Sequence, residues 1–246
     1  MHVSRRGFVK AAGAGGVGLL AAPLMGARGS EAAREWALPG SEFTPFASDE
    51  RAALRLAAPD ALRLDSNENP NGPGAAALDA VRSMFTEAPR YPDLTSAAVL
   101  QAVAAHHRVP TDNVLVGCGS GEILRMASYA FTTPQRALVT GAPSFEDPVR
   151  HSEMMGAPIR AVPVDPSLRL DLDAMLAQVP GAGMVFLCNP NNPTGTVHGA
   201  AAVRDFIAEV HRRAPECVVM VDEAYHEYVD DPDYSTAVPI ALEDPN

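Results

Sequence analysis

The sequence predicts an α/β domain built on a largely parallel sheet. Three observations predict it. From residue 61 onward, short apolar runs alternate with segments whose apolar residues recur every three or four positions. The apolar runs end in loops rich in glycine, proline and asparagine. The composition is globular, with 47% apolar and 20% charged residues over 246 positions. Strands alternating with helices imply right-handed crossovers, and in such sheets ligands sit beyond the carboxyl ends of the strands.

The elements follow in order. Residues 75–85 and 96–107 have helical spacing. Residues 113–117 (NVLVG) read as a short buried strand, and 121–131 as a helix. Residues 136–140 form a strand, and 145–156 a helix with Pro148 in its first turn and Gly156 as its stop. Residues 159–164 form a strand, and 171–179 a helix capped by Asp171. Residues 184–189, 201–214 and 217–222 read as strand, helix and strand. Residues 29–60 are weakly patterned and read as an arm or linker. No internal repeat is present.

The formal net charge of −11 argues against a nucleic-acid partner, because a phosphate backbone needs clustered Lys and Arg. Three scattered cysteines, Cys118, Cys188 and Cys217, are not a disulfide framework. The chain contains a single lysine, Lys10.

The N-terminus reads as an address. SRRGFVK (4–10) precedes an apolar run, 11–27, that is short and glycine-rich for a membrane span. It resembles a twin-arginine export signal, which carries folded proteins to the periplasm or cell exterior. No cysteine lies nearby for a lipid, so no stable membrane anchor is expected. The division expected is a signal segment at 1–30, an arm at 31–60 and a domain from 61 to 246.

The strand ends deliver the candidate chemistry. GCGSGEIL (117–124) joins a glycine turn to a helix start, an anion site in which Ser120 adds a hydroxyl. The same turn could be a dinucleotide fingerprint, although Glu122 stands at the sixth position where Gly or Ala belongs. GAPSFEDP (141–148) places Phe145 after a proline turn, either to stack on a planar ring or as plain core. CNPNNPTGT (188–196) is a rigid loop that holds the amides of Asn189 and Asn192 as donors. Asp222 ends the run CVVMV, as a cap or a functional carboxylate. Glu223, His226 and Glu227 follow it, but the two-histidine spacing of a zinc helix is absent, so no metal is expected.

In order and spacing, LDSNENPNGP (64–73), RYPD (90–93), GSGEIL, APSFEDP, NPNNPTG and VDEAYHEY resemble histidinol-phosphate aminotransferases. That family belongs to the class I/II aminotransferases, which use pyridoxal 5′-phosphate. The resemblance implies the three-layer, mostly parallel large domain of fold type I. It implies that Ser120, Gly121 and Glu122 hold the cofactor phosphate, although the family often has an acidic or other polar residue where Gly121 stands. Phe145 would stack on the ring, where the family usually has tyrosine. Asn192 and Tyr225 would bond its phenolic oxygen, and Asp222 its nitrogen. Tyr91 would reach the neighbouring subunit's site, which implies a homodimer in the full-length form. An amino donor and a 2-oxo acid acceptor are implied as partners, with cofactor loading in the cytoplasm before export.

The family's Schiff-base lysine lies roughly thirty residues after the aspartate, which falls beyond Asn246. No catalytic residue is therefore named within the chain. A truncated chain is expected, without the C-terminal small domain, inactive alone and poorly soluble. A non-catalytic pyridoxal-phosphate-binding remnant, or a lyase or decarboxylase on the same fold, stays open, as does a nicotinamide enzyme. The motifs favour histidinol phosphate or a related amine, whereas export favours another amino compound.

Overall fold

A computed structural model of the protein describes residues 67–69, 71–91 and 97–246. The expected signal segment, the arm and parts of the 64–73 and 90–93 motifs lie outside the described residues. The chain divides into two compact units, Met1–Ala80 and Val81–Asn246. In the first, the described residues are a turn, in which the Gly72 N–H donates to the Asn69 carbonyl at 3.1 Å, and the start of α1 (Ala75–Ser83).

The second unit carries α2 (Ala97–His107), α3 (Ser120–Phe131), β1 (Ala137–Ala142), α4 (Asp147–Met154) and β2 (Ile159–Pro163). It continues with α5 (Leu172–Gln178), β3 (Ala182–Cys188), α6 (Ala200–Arg213), β4 (Val218–Asp222) and α7 (Val238–Glu243). The four strands are all parallel, in the order β2-β1-β3-β4. Local chemistry sets the boundaries. The Asp171 side chain accepts from the Ala174 N–H at 2.9 Å and caps α5. Gly156, at φ 72°, follows α4 where an L side chain would be strained.

Both faces of the sheet are covered, which is why the central strand β3 (AGMVFLC) reads as an unbroken apolar run. Val139, Val185, Leu187, Val219 and Val221 face one way, onto Met175 and Leu176 of α5 and Val203, Phe206, Ile207 and Val210 of α6. Leu138, Met184, Phe186, Cys188 and Met220 face the other way, with Leu124 of α3 and Val149 of α4. The result is three layers, as expected. All seven residues of β3 are buried. Each large apolar side chain there contributes about 1.5–3 kcal/mol.

The strand expected at 113–117 does not form. Val114 has extended dihedrals, φ −115° and ψ 126°, but 111–113 make a single 3-10 turn. Leu115 is 72% exposed. An extended segment becomes a strand only by pairing, and none of the four described strands takes this one as a neighbour. Helix α7 was not legible, because six residues with a proline in the first turn give no periodic pattern. Among the described residues no helix is long and apolar enough to cross a membrane.

Candidate functional site

Parallel strands bring their carboxyl ends to one edge of the sheet. There β1 runs into Pro143–Phe145, β3 into Asn189–Gly199, and β4 ends at Asp222. The register pairs Cys188 with Asp222, so the last residues of β3 and β4 are neighbours. Their junction is the Cys188 thiol. The backbone N–H groups of Asn192 and Phe145 and the Ser144 side chain act to lower its pKa, and the Asp222 charge acts to raise it. Burial dominates and pushes this thiol up to about 11. The fold therefore gathers three of the expected residues, Phe145, Asn192 and Asp222, around one buried sulfur.

Asp222 is half-buried. Burial holds its carboxyl above the usual carboxylate range; the Ala224 N–H opposes this, and the neighbouring Glu223 adds to it. Its Oδ1 accepts from the Ala224 N–H at 3.0 Å, and no cation pairs with it among the described residues. A carboxylate so placed favours a cationic N–H partner. Phe145 sits at the rim of the apolar layer formed by Leu124, Leu138, Met184, Phe186 and Cys188, with part of its ring exposed. Tyr225 is half-buried, just before a 3-10 turn at His226–Tyr228. Tyr91 is fully exposed.

Helix α3 begins at Gly119, whose φ of 79° turns the chain into the helix. The first-turn N–H groups have no partner within the helix. Glu122 turns its carboxylate back over this start. Its Oε2 accepts from the Cys118 N–H at 2.7 Å, and its Oε1 lies 3.7 Å from Arg125. The Glu122 side chain thus closes the turn, and what remains for an anion is the exposed Ser120 hydroxyl and the first-turn N–H groups. At Gly121 a Cβ would meet only Asp147 Oδ2, at 3.9 Å.

The two asparagines expected as donors divide. Asn189 is 2% exposed, and its amide closes on one backbone unit. Its Nδ2 donates to the His198 carbonyl at 3.0 Å, and its Oδ1 accepts from the His198 N–H at 2.8 Å. It is a clamp, not a ligand donor. The Asn192 side chain is half-exposed. The loop from Asn189 to Pro193 contains two of the three cis X-Pro bonds among the described residues, Asn189–Pro190 and Asn192–Pro193; the third is Ala142–Pro143.

Residues that sequence reasoning did not separate complete the frame. Asn191 ties the loop to Pro143 and Ser144. The Glu223 carboxylate accepts from the Thr236 hydroxyl at 2.6 Å and the Ala237 N–H at 2.7 Å, so it anchors the following turn. The Tyr234 hydroxyl donates to the Asn189 carbonyl at 3.4 Å, and burial raises its pKa. Only the density of asparagines in 189–192 hinted at any of this. Among the described residues no cluster of three or more His, Cys, Asp or Glu is placed to hold a metal ion.

The donor set therefore suits a planar ring that carries a phosphate and a protonated nitrogen. Helix N–H groups and a hydroxyl would serve the anion, an aromatic edge the ring, and a carboxylate without a cation among the described residues the nitrogen.

Comparison with known proteins agrees. Residues 59–246 match the family described as aminotransferase class I and II. Histidinol-phosphate aminotransferase from Moorella thermoacetica is 36% identical over 197 residues, which are 80% of this chain and 50% of that one. The Bacillus velezensis protein of the same name is 32% identical over 205 residues, covering 83% and 56%. The structure of histidinol-phosphate aminotransferase from Sinorhizobium meliloti, in complex with pyridoxal-5′-phosphate, superposes with a TM-score of 0.68 at 26% identity, covering 81% of this chain and 55% of that one. The chain spans about half the length of the relatives it matches. Its parallel sheet is that of the large domain of fold type I, and the chain belongs to the class I and II aminotransferases.

Proposed function

We propose that residues 59–246 form the cofactor-binding part of a pyridoxal-phosphate-dependent aminotransferase, and that pyridoxal 5′-phosphate binds at the carboxyl edge of the sheet. The observation that carries this reading is Asp222, half-buried at the end of β4 beside Cys188 with no cationic partner among the described residues. Ser120 and the first-turn N–H groups of α3, those of Gly121 and Glu122 included, hold the phosphate. Phe145 lies against the ring. Asn192 and Tyr225 donate to the phenolic oxygen. Asp222, as a carboxylate, keeps a proton on the ring nitrogen and is stabilised in return. Bound there, pyridoxal phosphate supplies the electron sink for deprotonation at the substrate α-carbon.

The names of the relatives support histidinol phosphate as amino donor and a 2-oxo acid as acceptor. The SRRGFVK segment supports export by the twin-arginine route to the periplasm or exterior. Together they favour a family member acting on a different amino compound. The exposed Tyr91 is suited to reach a second subunit's site in a homodimer of the full-length form.

One observation favours a second, non-catalytic reading of this chain. Residues 59–246 contain no lysine, so within them nothing supplies the amine that would bond the cofactor aldehyde and move the α-proton. The purified chain is titrated with pyridoxal phosphate and then assayed for amino transfer from histidinol phosphate to a 2-oxo acid. Saturable binding without transfer is expected. Transfer by this chain would overturn the non-catalytic reading, and a failure to bind would overturn both.

A further inference from the structure

We propose that Asn191 is a positioning residue that bolts the Pro143–Phe145 turn to the Asn189–Thr196 loop and so sets how Phe145 and Asn192 face each other across the ring site. The proposal rests on the cofactor reading above. It goes beyond it by assigning a role to a side chain that need not touch the cofactor.

Asn191 is 2% exposed. Its Oδ1 accepts from the Ser144 hydroxyl at 2.8 Å, and its Nδ2 donates to the Pro143 carbonyl at 3.1 Å and to Thr194 Oγ1 at 2.8 Å. The Pro143 carbonyl can only accept, so the amide nitrogen must face it and the oxygen must face Ser144. Both amide protons and the amide oxygen are therefore committed. The backbone of the same residue closes its own loop, with its N–H on the Thr196 carbonyl at 2.9 Å and its carbonyl on the Gly195 N–H at 2.7 Å. The bonding continues from Thr194 Oγ1 to Thr196 Oγ1 at 2.9 Å, and from there to the Leu168 carbonyl at 3.0 Å.

The other two asparagines cannot serve in its place. Asn189 closes on His198 within its own loop, and Asn192 is half-exposed. Among the described residues, both side-chain hydrogen bonds between the Pro143–Phe145 turn and the β3 loop run through Asn191. Beneath this bolt lies the Cys188 sulfur, itself buried and donating to the Pro190 carbonyl at 3.3 Å. If Asn191 holds the two loops together, it also seals Cys188.

That gives a readout separate from the cofactor. Cys118 is exposed; Cys217, at the opposite end of the sheet just before β4, is 1% exposed and packs in the other apolar layer. In the native full chain a thiol reagent, mapped by mass spectrometry, labels Cys118 at once and the other two slowly. In Asn191→Ala the labelling of Cys188 is expected to accelerate by about tenfold or more while Cys217 stays as slow as before, because the opening is local. Ser144→Ala, which removes one of the bonds, moves Cys188 in the same direction by less. With added pyridoxal phosphate, the visible circular dichroism band that wild type induces in the cofactor is expected to weaken in Asn191→Ala.

Cys188 remaining protected in Asn191→Ala would overturn the proposal. So would Cys188 and Cys217 opening by the same factor, which marks a general loss of stability. A wild-type cofactor band that is unchanged in Asn191→Ala overturns the positioning role while leaving the cofactor reading intact. A wild-type chain that induces no band sinks the cofactor reading, and with it any role of Asn191 toward a ring.

Discussion

Replacing Asn189 by alanine separates a structural asparagine from Asn192, three residues away, which we propose faces the cofactor. The Asn189 amide makes two hydrogen bonds to the backbone of His198, at 3.0 and 2.8 Å. The variant leaves that N–H and carbonyl unmatched. A buried group left so costs about 1–3 kcal/mol. His198 is only partly buried, so water recovers some of this, and about 1–1.5 kcal/mol per bond is the reasonable share. The expected loss is about 2–3 kcal/mol, or a fall of about 1 M in the urea midpoint at a slope of about 2–3 kcal/mol/M. The backbone bond from the Asn189 N–H to the Asp222 carbonyl, at 2.9 Å, survives in the variant and keeps the strand ends together. Asn192→Ala removes the same atoms from a half-exposed side chain and is expected to change stability by no more than about 0.5 kcal/mol. Equal losses at the two positions, measured by equilibrium urea unfolding, would refute the assignment of Asn189 as the clamp.

Three further predictions concern the frame. In Gly183→Ala the new Cβ falls on the Phe131 carbonyl oxygen and within 2.8 Å of Arg136 Cβ, inside a fully buried strand, so a loss of about 3 kcal/mol or more is expected in thermal or urea unfolding. Asp171→Ala removes the cap of α5 and is expected to lower stability by about 1 kcal/mol, read from the same urea curves. His198 makes stability pH-dependent. Its Nε2 lies 2.9 Å from the Leu170 carbonyl and so carries the proton. Burial, first of all, and the nearby Arg169 hold its pKa below the usual 6.5, against the Leu170 bond and Asp165. The unfolded chain takes up the second ring proton, on Nδ1, before the folded chain does as pH falls, so the contribution is full above 6.5 and is lost from there down to the lower folded-state value. His198→Gln is expected to flatten the slope of unfolding free energy against pH in that window; an unchanged slope would contradict the assignment.

The layered fold was legible because the central strands are largely apolar runs and the long covering helices, α3 and α6, carry regular apolar stripes. Asp171, Pro148 and Gly156 mark boundaries by chemistry that acts within a few residues. The segment 113–117 was misread because its residue types favour extension, whereas a strand also needs a partner, and pairing is a property of the whole sheet. The placement of Asp222 at the end of β4 and of Phe145 in the turn after β1 was legible, because both follow from where a strand ends. The candidate site was not legible among Asn189, Asn191 and Asn192. One residue type at neighbouring positions serves as clamp, as bolt and as a half-exposed side chain, and only the contacts across loops distinguish them. Glu122 misled in a different way. Its place in the glycine turn is as expected, but its carboxylate bonds the Cys118 N–H instead of leaving that donor to an anion.

The central claim is that Asp222 at the end of β4 makes this edge of the sheet a site for pyridoxal 5′-phosphate. Equilibrium dialysis of the cofactor against wild type and Asp222→Ala tests it directly. Saturable binding by wild type is expected, weakened by about tenfold or more in the variant, since a half-buried charge pair loses one partner. Equal affinity in the two proteins, or no saturable binding by wild type, would contradict the account.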